Sequence, residues 1–337
     1  CILDASTGKA LASKAFPEVE MPIQSPQSGW AEQDPEMWWK HVKEGIAYIC
    51  GQAQVQAGEL LSIGIAYQMH GLVCVDKSHQ VLRSSIIWCD SRAVETGNAA
   101  FKSLGEEFCL AHYLNSPGNL TTSKLKWVKD NRPETYARIH KIMLPGDYIA
   151  FRITGEMKTT VSGLSEGILW DAKNETISHD LLKHYGINES LLCSTVSQFG
   201  EQGFVTPQAA EALGISANVP VSYRAGDQPN NAFSLNVLEP GEIAATAGTS
   251  GVVYGVIDQP SYDPQSRVNT FVHVNHTEAK KRYGVLLCIN GTGILNSWLQ
   301  KNVFSGHSYP EMNRLASAVP VGSEGLLCYP FGNGAER

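Results

Sequence analysis

The stretch YRAGDQPNNAFSLNVLEPGEIAATAGTSG, Tyr223–Gly251, holds the reading on which the rest of the chain depends. It begins in an apolar run, VSYRAG, that stops at a glycine. A single carboxylate, Asp227, follows between Gly226 and Gln228. Residues 228–238 then have helical character. EIAATAG and GVVYGVI alternate as strands on either side of a bare Gly-Thr-Ser-Gly turn. Strand, helix and strand in succession, with chemistry-bearing residues at the junctions, mark an α/β unit.

Working outward, the same alternation continues. CILDASTGKALAS reads as a hairpin turning at Asp4–Gly8, which raises the expectation of a further strand upstream. Asp34 followed by Pro35 signals a helix start, and Trp38, Val42, Ile46, Ile49 and Ala53 recur at helical spacing. ELLSIGIAY (59–67) reads as a strand buried on both faces, and GLVCVDKSHQVLRSSIIW as strand, turn, strand. Residues 93–110, 122–131 and 134–139 read as helical. KIMLP is a strand running into a helix, TTVSGLSEGILWD a loop, and residues near 179–185 a helix. RYGVLLCIN, GTGILNSWLQKNVF and EGLLCYPF complete the series as strand, glycine-led helix and strand. The class is α/β with a mixed sheet. The seam between two domains is expected near 222–240, giving domains 1–224 and 225–337.

Composition narrows the function. The 337 residues are 43% hydrophobic and 18% charged, with a net charge of −7, enough for a sizeable core. No basic run supports a nucleic-acid or anionic-membrane surface, and no apolar stretch is long enough to span a bilayer. The eight cysteines form no C-x-x-C pair. Five of them, Cys50, Cys74, Cys109, Cys288 and Cys328, sit in apolar runs, the pattern of reduced core thiols in a cytoplasmic protein. The histidines show no zinc-type spacing.

Five constellations bear chemistry. Asp227 at a strand end reads either as the N-cap of the next helix or as a base that accepts a hydroxyl proton during phosphoryl transfer, and the two roles are compatible. Gly248, Thr249 and Ser250 form either a hairpin turn or a nest of N–H and O–H donors for phosphate. Gly291 and Gly293 read either as a tight strand-to-helix turn or as the opening of a helix whose N-terminus suits an anion. Gln68 and His70 follow a strand, where ligands bind in open α/β sheets, and read either as recognition of a polar ligand or, for His70, as a lone satisfied histidine. Trp88, Asp90 and Arg92 read either as a sugar-stacking surface or as a structural Asp–Arg pair.

The order of the motifs says more than any of them singly. QMHG, WCDSR, TTSKLKWVKDNRPE, LPGDYIAFRITGE, AGDQ and AGTSG follow one another in a series that resembles the FGGY family of carbohydrate kinases, nearest to its xylulokinase branch. The resemblance implies a two-domain actin-like (ribonuclease-H-like) ATPase fold with the second domain incomplete. It also implies ATP and Mg²⁺ at the cleft, a sugar as the second substrate, and a homodimer as the usual assembly. By the same resemblance Asp227 is the base, Met69 and His70 contact the sugar, and Gln228 faces it. Gly248, Thr249, Ser250 and Gly293 meet the nucleotide. The family's D-x-G-T strand is expected before Cys1 and its adenosine motif after Arg337, so low activity is expected of this chain alone. Cys89, where asparagine is more usual, and PFGNGAER depart from the pattern and bear on which sugar is used. L-Ribulose, glycerol, gluconate and rhamnulose are the alternative substrates, and a non-catalytic actin-like scaffold is the alternative class.

Overall fold

The computed structural model describes residues 1–19, 21–248, 251–289 and 292–328. Two short parallel strands pair near its middle: Ile63–Tyr67 with Val221–Gly226, placing Tyr67 opposite Gly226. Around them lie the antiparallel pair Val73–Val75 with Lys141–Met143 and the parallel pair Lys158–Thr160 with Ser194–Val196. A separate antiparallel sheet has the strand order Ile243–Ala247, Gly251–Ile257, Tyr283–Ile289, Asn269–Val272. The α/β class is as expected, but among the described residues parallel and antiparallel pairing occur in separate sheets and not in one mixed sheet.

The first helix, Pro35–Ala53, starts where the sequence predicts. Asp34 accepts the Glu36 amide at 3.0 Å, with Pro35 in the first turn. The expected face is turned inward: Ile49 is buried and Trp38, Val42 and Ile46 pack against the core, with Trp39, outside the expected set, buried beside them. Helix Pro145–Thr154 and helix Pro207–Leu213 join it against the central strands, around Ile65, Tyr67, Val73 and Val221.

Several expectations change. The strand read over 59–67 is confined to Ile63–Tyr67, with Leu61 exposed. Its residues alternate, Ile65 and Tyr67 inward and Gly64 and Ala66 outward. The helix read over 93–110 is two helices, Val94–Leu104 and Glu106–Tyr113, divided at Gly105, whose φ of 100° breaks the helical path. The stretch TTVSGLSEGILWD is not a loop. It forms a strand ending at Thr160, helix Val161–Glu166 and the short strand Trp170–Asp171. Thr160 caps that helix by accepting the Gly163 amide at 3.1 Å. Small residues gave no hydrophobic period there, because the whole helix is buried. The helix following Asp227 ends at Ser234, short of 238.

The antiparallel sheet is fastened to the rest through this buried helix and one loop. The Val272 amide donates to Ser165 Oγ at 3.0 Å. Asn115 brackets Thr270, giving a bond to its carbonyl at 2.7 Å and taking one from its amide at 3.0 Å. All eight cysteines are free thiols. Cys193, not Cys328, belongs with the buried ones.

Candidate active site

Parallel pairing of Ile63–Tyr67 with Val221–Gly226 sends both chains out of the sheet on the same side. Met69 and His70 leave from one strand and Asp227 and Gln228 from the other, at the carboxyl ends where α/β sheets bind ligands. Gly226 makes the approach possible. A Cβ there would lie 2.5 Å from Met69 Cγ and 2.6 Å from Glu166 Oε2, so any side chain would drive the two halves apart.

Asp227 is the first residue of its helix. The cap position is Gly226, so Asp227 does not cap with its side chain. Its Oδ2 accepts Gln228 Nε2 at 2.9 Å. Burial pushes its carboxyl above the usual carboxylate range, opposed by bonds from the Gln228 side chain and from backbone amides including that of Met69. An ionised carboxylate held by donors yet poorly solvated is a competent proton acceptor.

His70 sits in the left-handed region, with φ 62°. Its amide donates to Glu166 Oε1 at 3.2 Å, and its ring Nδ1 lies 2.9 Å from the Glu166 carbonyl oxygen. A carbonyl only accepts, so Nδ1 carries the proton and Nε2 of the neutral ring is the acceptor. The ring lies 5.4 Å from that of Phe271, across from the antiparallel sheet. Beneath the turn, buried Lys124 donates to the carbonyls of His70 at 2.9 Å and Ile87 at 3.0 Å. Burial brings its ammonium down to about 7. Gln68 bonds Gln33 Oε1 at 3.0 Å, an acceptor shared with Trp38.

Glu166 is the residue that sequence reading passed over. It is buried and holds His70 twice, yet it lay within a stretch taken for a loop. The available signal was a lone acid amid small and apolar residues, in VSGLSEGILW.

The segment around Trp88 divides. Trp88 is exposed. Asp90 and Arg92 are buried and engaged with each other, Nε to Oδ1 at 2.9 Å and Nη2 to Oδ2 at 2.6 Å. Asp90 Oδ2 also accepts the Ala31 amide at 2.6 Å. The Arg92 guanidinium lies 3.8 Å from the Trp30 ring centroid and 5.0 Å from that of Trp127, with Nη1 2.7 Å from Glu32 Oε1. Of the two readings of W-x-D-x-R, this geometry is the structural pair. Asp90 and Arg92 point their charges at internal partners and not at the His70–Asp227 opening.

On the other side, the two glycine motifs meet. The Gly293 amide donates to the Gly248 carbonyl at 3.0 Å, and Thr292 Oγ1 reaches the same oxygen at 3.4 Å. Helix Thr292–Asn302 therefore begins against the turn between Ile243–Ala247 and Gly251–Ile257. Thr249, Ser250 and Gly291 lie outside the described residues. Among the described residues no group of three or more His, Cys, Asp and Glu side chains is arranged to hold a metal ion. Nor, among them, is any helix long and apolar enough to cross a membrane.

Residues 2–234 match the FGGY family of carbohydrate kinases, N-terminal domain. The chain belongs to that family, and its fold is a partial actin-like one. It is similar to the xylulose kinase of Bacillus subtilis (strain 168), 28% identical over 98% of this chain and 65% of that protein. The crystal structure of xylulose kinase from Rhodospirillum rubrum superposes with a TM-score of 0.83 at 26% identity, over 93% of this chain and 64% of that one. Plasmodium falciparum glycerol kinase, solved with ADP, has a TM-score of 0.80 at 19% identity, over 93% of this chain and 64% of that one; that likeness concerns the fold. The chain thus spans somewhat less than two thirds of the length of these relatives.

Proposed function

We propose that this chain is the sugar-binding and base-bearing part of an ATP-dependent sugar kinase acting on D-xylulose. The observation that carries the reading is the parallel register, which places Met69–His70 and Asp227–Gln228 at one strand-end opening. Asp227 takes the proton of the attacking hydroxyl as that oxygen bonds to the γ-phosphorus of ATP and the β–γ bridge breaks, releasing ADP. Met69 and His70 orient the sugar, and Gln228 holds Asp227 and lies beside it. The helix start at Gly293 and the turn at Gly248 receive the phosphates, with Thr249 and Ser250 assigned to the same turn by their place in the motif. Residues 1–224 would be the sugar-side domain and 225–337 part of the nucleotide side. Among the described residues no group of three or more His, Cys, Asp and Glu side chains could hold a metal ion, and Mg²⁺ would be held largely by the phosphates of ATP, whose charge it would offset. Similarity to xylulose kinases supports the choice of sugar.

The test uses the complete gene product that contains this chain. Asp227→Asn is expected to lower kcat by about 10²–10⁴, with sugar binding by calorimetry retained. Unchanged turnover would remove Asp227 as the base. A panel of xylulose, ribulose, glycerol and gluconate in a coupled ADP assay decides the substrate.

A further inference from the structure

Two carboxyl groups compete at the strand-end opening. Asp227 Oδ2 accepts Gln228 Nε2 at 2.9 Å, and Glu166 Oε1 accepts the His70 amide at 3.2 Å. Their surroundings differ. Asp227 receives the Gln228 side chain and several backbone amides. Glu166 Oε2 is buried with no hydrogen-bond partner among the described residues, directly beneath Gly226, one residue before Asp227. An ionised oxygen in that position would be desolvated, unpaired and close to a second negative charge.

The other charged or titratable groups around Glu166 do not relieve this. Asp147 adds negative charge, but its own partner is Arg224, at 3.1 Å. Lys124 opposes the effect only weakly: it donates to two carbonyls, and burial brings its ammonium down to about 7. Tyr67 and Tyr254 also lie within electrostatic reach, and both are neutral phenols. Burial accordingly pushes the Glu166 carboxyl well above its usual range, and the charge on Asp227 adds to the effect.

We propose that Glu166 is a positioning residue for the base. It stands beside Asp227 as an uncharged carboxylic acid, so that the pair carries one negative charge, on Asp227. The neutral acid anchors the His70 amide without placing a second anion where an alkoxide and a phosphoryl group must approach. When Glu166 ionises, the opening gains that second charge and phosphoryl transfer slows. The proposal rests on Asp227 being the base.

Two measurements on the complete gene product test it. Infrared difference spectroscopy of wild type against Glu166→Gln at neutral pH is expected to show a protonated-carboxyl C=O stretch in the wild type only, converting to carboxylate at alkaline pH. In kinetics, Glu166→Ala is expected to lower kcat/KM by about tenfold or more. Glu166→Gln should rescue most of that loss and move the alkaline decline upward by about one pH unit or more. A carboxylate band at neutral pH, or the same alkaline decline in Glu166→Gln as in wild type, overturns the proposal. If Asp227→Asn keeps its turnover, it is the base assignment that fails, whereas the infrared band still reports the state of Glu166. A role confined to folding would lower the Tm of Glu166→Ala and leave the pH profile unmoved.

Discussion

The carbonyl oxygen of Gly248 accepts the backbone N–H of Gly293 at 3.0 Å, so a turn between two strands and the start of a later helix share one hydrogen bond. These were separate glycine motifs in the sequence. The proposed reading assigns their junction to the phosphates of a nucleotide, and it can be disturbed selectively.

A Cβ at Gly251 would meet Thr292 Cγ2 at 3.0 Å and Oγ1 at 3.5 Å. Gly251→Val is therefore expected to push the helix start away from the turn. KM for ATP should rise roughly three- to tenfold, with KM for the sugar little changed, as steady-state kinetics would show. An equal rise in both constants would place the damage elsewhere.

The pH dependence of kcat/KM should carry the signature of Asp227. The base must be ionised, so activity is lost as pH falls through its pKa. Burial raises that pKa, so the acid limb should lie above the ordinary aspartate value of about 3.9. An acid limb at or below that value would contradict the described environment.

Arg92 should matter to stability through Asp90. Removing it leaves a buried carboxylate without its fork and opens the space between Trp30 and Trp127. Arg92→Ala is expected to cost about 3–5 kcal/mol in urea unfolding. Arg92→Lys should recover only part, since an ammonium keeps the charge and loses the planar double contact.

His273 should make the fold acid-sensitive. Its Nε2 faces the Val237 carbonyl at 3.3 Å and its Nδ1 lies 2.9 Å from the Tyr254 hydroxyl, an arrangement for a neutral ring. Burial brings it down to about 4. The unfolded state, with an imidazole near 6.5, binds the proton first. Stability should therefore fall as pH drops from about 6.5 to about 4, by at most roughly 3 kcal/mol. His273→Gln should flatten that part of the pH–stability curve.

Much of this was legible in the sequence because it is local. Asp34–Pro35, the helix before Ala53, and the strand ends before Gln68 and Asp227 all announce themselves through caps, periods and breaks. What was hidden depends on long-range burial. Helix Val161–Glu166 lacks a polar face, so it has no period to read, and Glu166 went with it. The role of W-x-D-x-R was undecidable until Trp30 and Trp127, from two other segments, closed on Arg92. The burial of Trp39 beside the expected Trp38 was hidden because two adjacent tryptophans look alike to a pattern, and only the packed partner distinguishes them.

The pairing of Tyr67 with Gly226 also bears on how the chain acquires its site. The strand bearing Met69 and His70 is synthesised early, and its parallel partner emerges much later, after the intervening helices. A nascent chain on the ribosome therefore has no His70–Asp227 opening until Gly226 is out of the tunnel. Closing so long a loop is a slow kind of contact to form, and in the meantime the edge of Ile63–Tyr67 that will face Val221–Gly226 is open to chaperones or to wrong partners.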